Sequence, residues 1–456
     1  MSHPNNSKMI PTEFFMPKKV KWAISILLVC IATLLLVLPK LVGIVIQDAI
    51  ADGVFEQINA STKGRIAITN SQTETGWFRS IVQLNIEISD IRNRFEPYSL
   101  LVHGKISHGP ILPTQSLLSF GLVNVDMTVN ADTLQSELVT IMMDPLTVSL
   151  RVKFDQSLSI SAMVPNISIR NANENLHTTV DGLDAYIHIN EDLSARADIK
   201  SNEILVQNNQ SNIELTVSNP SLHLATDRLD DVSAGSAITA TIPSTIASKP
   251  LSFNLNNTIL DWRSHPSNKG TELTDFSQSI KVEKIESDLP LESISWKSEM
   301  RGVKEELIKS YNELLLKIQS ASDVDPIVRM TELTQVGNET GLLLLQNEVN
   351  LVNIIEADLY QGIHKLNLNV LWKGLPSINS IDNLRLDDAV EALDIELNLL
   401  LDQESVSISP FAELAEHYSS QNYLTSSSDR LNMHAELTQG SLTINDESFP
   451  LERLLQ

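Results

Sequence analysis

Histidines and acidic residues are the side chains in this sequence that could hold a metal ion or transfer protons. The closest histidine pair is His103 and His108, five residues apart in HGKISHG. An odd separation on a β-strand places two side chains on opposite faces, which disfavours a shared metal ion. His417 follows Glu413 by four residues on a short predicted helix, but a solvated helix face is the simpler interpretation. The sequence therefore predicts no metal site.

Adjacent carboxylates occur at Asp230-Asp231, Glu305-Glu306 and Asp387-Asp388. Neighbouring side chains on a helix point in different directions, so such pairs do not form an acid/base couple by themselves. We interpret them as charged surface or as the first residues of helices. The sequence also lacks G-x-S-x-G, H-E-x-x-H, Walker-type and G-x-G-x-x-G motifs. No catalytic residue or cofactor is predicted, and a hydrolase with an unrecognised site is the less favoured alternative.

Composition excludes several classes of protein. The chain has 456 residues, with 33 Lys and Arg against 57 Asp and Glu, and a net charge of −24. That balance argues against nucleic-acid binding, which depends chiefly on clustered basic side chains. The single cysteine excludes an internal disulfide framework and a cysteine-rich zinc site. The length allows a sizeable core and two or three domains.

One long apolar segment lies near the N-terminus. Residues 22–38 carry no charge, and the apolar character continues to Ile46 despite Pro39 and Lys40. About 20 helical residues span a bilayer core, so residues 22–46 are predicted to form a transmembrane anchor. Residues 1–21 hold a cluster of lysines and are predicted to be a cytoplasmic basic stub, by the positive-inside rule. The remainder would then lie across the membrane, with 28 basic and 56 acidic residues after Lys40.

Two alternatives to a permanent anchor are less favoured. The sequence Ala49-Ile50-Ala51 has the form of a signal-peptidase site but lies well beyond the apolar core. Cys30 has large apolar neighbours on both sides, which is unlike a lipoprotein attachment site. Placing Cys30 in the bilayer leaves the exported part without cysteine, as suits an oxidising compartment.

Period-2 alternation dominates residues 47–300. In Ile81–Ile91, apolar side chains alternate with Gln, Asn, Glu and Ser, as a strand with one dry face requires. The same rhythm predicts further strands at Leu122–Val129, Leu146–Phe154, Leu158–Ile169, Ala185–Ile189, Ile213–Val217, Leu251–Leu255 and Ile280–Ile285. Turn residues separate these segments, which favours a long, mostly antiparallel meander without a fixed-period repeat.

Residues 301–456 mix helices and strands. Val303, Leu307 and Tyr311 begin an apolar helical stripe, and Asp325-Pro326 predicts a second helix to about Val336. Predicted elements that follow are strands at Lys365–Trp372 and Ile395–Leu401, a helix from Ser409 to Tyr418, a hairpin of Leu431–Leu437 with Ser441–Asn445, and a last helix at Leu451–Leu455. The predicted fold is α+β: a transmembrane helix, an extended and mostly antiparallel sheet, a helical insertion and a C-terminal α+β region. The regions on either side of residue 300 can share one core.

Three short motifs carry a family resemblance. They are the run Gly76, Trp77, Phe78, Arg79 and Ser80, then His108, Gly109 and Pro110, and finally Gly440, Asn445 and Leu451. With the N-terminal anchor, their order resembles the YdgA-like family of bacterial inner-membrane proteins of unknown function. Asp446 departs from the family, which tends to have glycine there.

The resemblance implies the bacterial inner membrane, with a periplasmic C-terminal domain, and it supplies no catalytic residues. The motifs themselves have a structural interpretation. Gly76 can turn the chain, Trp77 and Phe78 can seal the sheet edge, and Gly109-Pro110 can end a strand, with His108 a turn residue.

The apolar strand faces need a partner. They can pack into a sandwich, or the sheet can curl and leave an elongated groove that holds lipid acyl chains. The predicted function is a periplasmic binding or structural domain with lipid or an envelope protein as ligand. A scaffold that acts as a homodimer is the alternative, since long edge strands invite pairing.

Overall fold

The computed structural model describes most of residues 66–449, residues 37–45 and a few single positions before 66. The gaps after residue 66 lie at 89–97, 114–117, 132–133, 136–138, 172–174, 209, 232–233, 249–251, 269, 271 and 321–325. The described chain is mostly antiparallel β-sheet with a few helices, so the sheet-rich α+β prediction is confirmed.

The strands follow one another along the chain with short turns between them. They are β1 Ile66–Thr75, β2 Arg79–Ile88, β3 Tyr98–His108, β4 Ile111–Pro113, β5 Leu118–Phe120, β6 Val123–Ala131, β7 Leu134–Gln135, β8 Val139–Met143, β9 Leu146–Val152, β10 Leu158–Asn171, β11 Leu176–Ile189, β12 Ala195–Lys200, β13 Glu203–Asn208, β14 Ile213–Ser218, β15 Ser221–Thr226, β16 Ser236–Ala247, β17 Phe253–Pro266, β18 Leu273–Ser287, β19 Leu291–Lys304, β20 Val349–Leu359, β21 Gly362–Trp372, β22 Leu393–Asp402, β23 Thr425–Ser427, β24 Arg430–Thr438, β25 Ser441–Ile444 and β26 Glu447–Phe449.

Helices are inserted at three places in this order. The described helices are α1 Glu305–Ser320 and α2 Pro326–Gln346 between β19 and β20, the 3₁₀ turn Ile381–Asn383 and α3 Leu386–Glu391 before β22, and α4 Gln403–Ser407 and α5 Ala412–Ser420 after it. These helices lie between strands of the sheet, and strands make up most of the described fold.

All the described strands except β4 and β5, which pair only with each other, form one long antiparallel sheet. From β1 the pairing runs through β2, β3, β6, β9 and β10 to β11. There it divides into two parallel routes, β12–β15 and β13–β14, which rejoin on β16. It continues in chain order from β16 to β22 and then through β24 and β25 to β26. The sheet is thus continuous through residue 300, with the α1–α2 hairpin inserted between the paired strands β19 and β20.

Cross-strand register aligns apolar residues into a single row. Directly paired residues of antiparallel strands lie on the same face. The paired positions that we call the apolar row are Val82, Gly104, Met127, Val148, Ala162, Ala185, Ile199, Leu222, Ala240, Leu260, Ile280, Trp296, Ile355, Leu366, Leu399 and Met433. Every member is apolar or glycine, and none of them from Met127 to Met433 is buried.

The opposite face of the sheet is mostly polar at the positions next to the apolar row in sequence. Its aligned positions, the polar row, are Ile81, Lys105, Asp126, Ser149, Ser161, Tyr186, Asp198, His223, Thr239, Asp261, Ser279, Lys297, Ile354, Asn367, Asn398 and His434. Several partners are hydrogen-bonded across strands: Thr239 donates to Asp261 at 2.7 Å, and His223 Nδ1 lies 2.7 Å from Asp198 Oδ1. The sheet therefore has one apolar and one solvated face along its whole length.

A transverse break interrupts the strands at similar levels. Gly182 in β11 and Asn257 in β17 have left-handed backbone, at φ 62° and 54°. In β10 the apolar positions are even-numbered up to Val164 and odd-numbered at Ile167 and Ile169. A residue with left-handed backbone bends a strand and changes which alternate side chains share a face. The break therefore lets the apolar alternation restart one residue later.

Most predicted elements are confirmed, and two need correction. Val303 lies in β19 and is buried, whereas we placed it in the helix, which begins at Glu305. Helix α2 extends ten residues beyond the predicted end at Val336, through the apolar run at its C-terminus. The period-3.6 stripe in α1 continued by chance into the preceding strand, where Val303 also suits a buried position.

The anchor lies mainly outside the described residues. Residues 37–45 are helical, while 22–36 and 46 fall outside the described part, as does the predicted helix Leu451–Leu455. Among the described residues, no helix is both long enough and apolar enough to cross a bilayer. The transmembrane anchor, the basic stub and the domain boundaries thus stay predictions.

Candidate apolar binding site

The hydrophobic core of the C-terminal region forms beneath two short helices. Val406 of α4, Ala415 of α5, Leu424 and Leu431 are buried together. Leu399, Leu401 and Met433 pack against them from the apolar face of the sheet. These contacts hold α4 and α5 over strands β22 and β24.

An apolar cavity of about 720 Å³ lies beside this core. Its wall is formed by Leu399, Leu401 and Met433 on the sheet and by the inner sides of α4 and α5. Further wall residues are Leu442, Ile444 and Phe449 of the C-terminal hairpins, Tyr423 and Leu424 after α5, and Leu359, Tyr360 and His364 at the turn between β20 and β21. Cavities of this volume and apolar lining are typical of small-ligand sites.

Aromatic side chains close one side of the cavity. Tyr418 and Tyr423 have ring centroids 6.1 Å apart, and Tyr423 meets Phe449 edge-on at 6.0 Å. Such tilted pairs are favourable because the ring edge is positive and the ring face negative. The cluster fixes the end of α5 against the last strand.

Local sequence signals position the two helices. Asp402 caps α4, since its Oδ1 accepts from the Ser405 backbone N–H at 3.0 Å. Asn445 holds the hairpin loop: its Nδ2 donates to the Asn422 and Tyr423 carbonyls, and its Oδ1 accepts from His434 N. The cavity wall is therefore fixed by polar contacts at its rim.

The mouth of the cavity is apolar and open. Phe411, Leu414 and Tyr418 line it, at the cap and on one side of α5 with i, i+3, i+7 spacing. They are 57%, 50% and 41% exposed. Exposed apolar residues that continue a cavity lining are what a binding site for an apolar ligand presents to solvent.

One polar pair lines the cavity. Ser405 donates to the Leu359 carbonyl at 2.6 Å, and His364 Nε2 lies 3.0 Å from Ser405 Oγ and 3.1 Å from the same carbonyl. A carbonyl only accepts, so the Ser405 hydrogen is already used. The other ring nitrogen, His364 Nδ1, is buried without a hydrogen-bond partner.

This pair does not form a nucleophile–base couple. A hydrolase of that kind needs a histidine whose second nitrogen is oriented by a carboxylate. The nearby Asp402 is instead engaged by the backbone of Ser405. His364 and Ser405 thus connect β20, β21 and α4 beside the cavity.

The apolar row leads into the cavity. Leu399 and Met433 are both its last two members and part of the cavity wall. An apolar surface therefore continues from the first strands of the sheet to the enclosed site.

The first two motifs meet at the other end of the sheet, in a cluster that we call the His108 socket. Gly76 N–H donates to the Arg79 carbonyl in the turn between β1 and β2. His108 Nδ1 lies 3.3 Å from the Trp77 carbonyl, and Nε2 lies 3.1 Å from Ser80 Oγ. Because the carbonyl only accepts, Nδ1 carries the hydrogen and Nε2 accepts from Ser80.

Gly109 and Pro110 complete the socket. Strand β3 ends at His108, the Gly109-Pro110 peptide is cis, and Gly109 N–H donates to the Leu122 carbonyl at 2.7 Å. A Cβ on Gly109 would lie 1.8 Å from the Gly121 carbonyl oxygen, so only glycine fits there.

Two expectations about the motifs need correction. His108 is 2% exposed and hydrogen-bonded through both ring nitrogens, so it is a buried connector rather than a turn residue. Trp77 and Phe78 are 51% and 53% exposed and do not seal the sheet edge. The turn after β1 points their rings outward, which sequence alternation alone did not reveal.

The third motif forms two tight hairpin turns. Gly440 has φ 74° between β24 and β25, and Asn445 and Asp446 have φ 47° and 67° between β25 and β26. Positive φ at both central residues is the type I′ geometry that Asn-Gly favours. Asp446 therefore keeps the turn that glycine would form, and Leu451 lies outside the described residues.

The remaining candidates stay apart from the cavity. His103 is exposed while His108 is buried, as expected for opposite faces. Glu305 and Glu306 lie in the first turn of α1, Asp387 and Asp388 begin α3, and Asp230 pairs with Arg228. In the described ranges, no three metal-ligating side chains come together.

A family model covers nearly the whole chain. Residues 16–452 match the family described as bacterial protein of unknown function (DUF945). The chain belongs to this family. No match was found among the curated proteins or the solved structures that were compared. Membership agrees with an uncharacterised bacterial family, whereas the YdgA-like name stays a prediction.

Sequence reasoning missed the cavity itself. The spacing of Phe411, Leu414 and Tyr418 could have suggested an apolar helical stripe. The cavity, however, also requires the register of β20 to β24, which brings residues some 90 positions apart onto one face.

Proposed function

We propose that this DUF945 protein is a single-pass protein of the bacterial inner membrane that binds lipid acyl chains on the periplasmic side. The apolar cavity under α4 and α5 is the observation that carries this function. An acyl chain matches its chemistry because the wall is almost entirely aliphatic and aromatic.

The incomplete burial of the apolar row supports the binding of an apolar ligand there. Its members beyond Gly104 are not buried, and Leu260 and Ile280 are each 37% exposed. Apolar area left in water costs roughly 25 cal/mol per Å², so a long, partly exposed apolar row favours an apolar ligand. A sheet that had only a scaffolding role would gain from polar residues at these positions.

The sequence and the family support this location. The apolar segment at 22–46 is the proposed anchor, and the lysines before it favour a cytoplasmic N-terminus. The family is bacterial, so the acidic, cysteine-free remainder would lie in the periplasm.

Site-specific photocrosslinking in the full-length protein tests the function. A photoreactive residue at Leu401, inside the cavity, is expected to form an adduct with radiolabelled phospholipid in living cells. The same residue at Ile354, on the opposite face of the sheet, is the matched control and should give little adduct. Equal labelling at both positions, or none at Leu401, would contradict the proposal.

A cavity-filling variant sharpens the test. Ala415 is buried on α5 and lines the cavity, so Ala415→Phe places a ring where the ligand would lie. Phospholipid labelling at Leu401 should then fall, while protease resistance of the chain is retained. Full labelling in Ala415→Phe would place the lipid elsewhere.

A further inference from the structure

The helical segment at 37–45 contacts the His108 socket. A Cβ built on Gly43 would lie 2.8 Å from His108 Cε1 and 3.7 Å from the Gly76 carbonyl oxygen. Pro39 in the same segment is fully buried. The end of the predicted anchor is therefore packed onto the turn after β1 and the end of β3, at a position that only a small residue permits.

Exposed aromatic residues surround this contact. Trp77 and Phe78 are about half exposed in the turn that forms one wall of the socket. Phe120 is 71% exposed and precedes Gly121, whose N–H donates to the Pro110 carbonyl. Trp is enriched where a membrane protein meets the headgroup region, and the exposed Phe rings beside it add apolar surface. Their position beside the anchor makes the lipid surface the fitting partner for them.

The apolar row begins at the socket. Ser80, which binds His108, and Val82, the first member of the row, lie on the same face of β2 and are both buried. The row then crosses the sheet to the cavity. At about 4.8 Å per strand, its fifteen steps extend over roughly 70 Å, several times the thickness of one bilayer leaflet.

A second row widens the apolar surface along the first part of this course. It comprises Ile106, Val125, Leu150, Ile160, Ile187, Ala197, Leu224, Ile238 and Trp262. Beyond Trp262 its aligned positions become polar: Gln278, Ser298 and Asn353. On that side the apolar surface therefore ends at Ile280, Trp296 and Ile355. On the other side of the row, Val282, Ile294 and Ala357 continue it.

We propose that the His108 socket fixes the sheet to the anchor with Trp77, Phe78 and Phe120 at the membrane surface, so that acyl chains leave the bilayer at β2 and move along the apolar row to the cavity. This inference rests on the proposed function and adds the source and the route of the ligand. Lipid of the anchoring membrane is the occupant because the row starts where the anchor ends. The polar row on the opposite face keeps the other side of the sheet in water.

Blocking the row beyond the end of the second row tests the route. Ile280→Asp places a carboxylate in the row, and Ile354→Asp places one on the opposite face of a strand two positions away. The two isoleucines are 37% and 39% exposed, so the variants are matched in residue type and exposure. Phospholipid crosslinking is measured in full-length protein at Met127, early in the row, and at Met433, in the cavity.

The expected pattern separates the two positions. Ile280→Asp should keep labelling at Met127 and reduce it at Met433 about tenfold or more, because a charge among apolar side chains is strongly unfavourable. Ile354→Asp should leave both unchanged. Leu260→Asp, two strands before Trp296, repeats the block, so a single variant that fails to fold does not decide the result.

The other possible labelling results distinguish failure of the route from failure of the proposed function. Undiminished labelling at Met433 in both blocked variants would refute the route while leaving the cavity as a lipid site. Absence of labelling at Met433 in the unmodified protein would refute the proposed function itself. Entry is tested by Phe120→Asp, which should lower labelling at both positions, whereas Leu289→Asp, an exposed loop residue far from the socket, should lower neither.

Discussion

The His108 socket and the C-terminal cavity bury side chains in opposite ways. In the socket, His108, Ser80 and Leu112 are almost inaccessible, and glycines bring backbone segments into direct contact. At the cavity, buried residues line only one side of a space of about 720 Å³. One end of the sheet is therefore filled to close packing, while the other leaves room for a molecule. The difference agrees with a first end that fixes geometry and with the proposal that the second end receives a ligand.

The largest expected effect on the free energy of unfolding comes from adding one methyl group to the closely packed socket. Gly109→Ala places a Cβ 1.8 Å from the Gly121 carbonyl oxygen, and neither backbone segment can move freely. We expect a loss of more than about 3 kcal/mol in the free energy of unfolding, measured by denaturant titration of the detergent-solubilised chain.

The control for this change is Gly337→Ala in α2, where a new Cβ meets nothing within 4 Å. That variant should gain up to about 1 kcal/mol, since alanine is the better helix former. A comparable loss in both variants would mean that the socket is no more tightly packed than an exposed helix.

Removing the same side chain at the two ends should cost different amounts. Leu112 is fully buried beside the socket, whereas Leu401 borders the empty space. We expect Leu112→Ala to lose about 3–4 kcal/mol and Leu401→Ala about 2 kcal/mol, because the wall of an existing cavity has fewer neighbours to lose. Equal losses, measured by the same titration, would show that the cavity is closed by packing in solution.

The hairpin turn at the cavity end should respond by about one kcal/mol. Asp446 has φ 67°, so Asp446→Gly is expected to stabilise the fold by about 0.5–1 kcal/mol. Asn445→Gly should instead destabilise it, since three hydrogen bonds of the Asn445 side chain are lost. Thermal unfolding compares the two variants, and stabilisation by both would contradict a rim held by polar contacts.

Acid should act mainly on the exposed strands between the two ends, and weakly. Hydrogen bonds from Lys297 and then Arg301 hold the pKa of Glu299 below its usual range. A lowered pKa in the folded state stabilises the protein above the unfolded-state value and loses this effect as pH falls below about 4.5.

We expect this contribution to be less than about 1 kcal/mol, since such pairs lie near the surface. Glu299→Gln should flatten the stability profile between pH 5 and 3 by that amount, relative to the unmodified chain. If the profile of Glu299→Gln matched that of the unmodified chain, Glu299 would not contribute to the pH dependence of stability.

The strands were predictable from the sequence because alternation is a local property. The segments at Ile81 and Lys365 alternate clearly, and both lie in strands. Gly440 and Asn445 lie in turns with positive φ, a backbone conformation that glycine and asparagine adopt readily. Val303 was wrongly assigned to the helix because it fits both the period-2 pattern of β19 and the period-3.6 pattern of α1.

The binding site was not predictable because it depends on register. Leu399 and Met433 become neighbours only when β22 and β24 pair at one particular alignment. The role of His108 was hidden for the same reason, since its partners Trp77 and Ser80 lie about 30 residues earlier. A single sequence contains the members of these groups but does not state which strands meet.

The unburied apolar row has a thermodynamic consequence for the protein's own stability. A molecule that binds only the folded chain raises the free energy of unfolding by an amount that grows with the logarithm of its concentration. Acyl chains on the row would thus serve as a removable part of the hydrophobic core. The melting temperature of this protein should then report how much lipid it carries, and delipidation would weaken the middle of the sheet and the cavity end before the His108 socket.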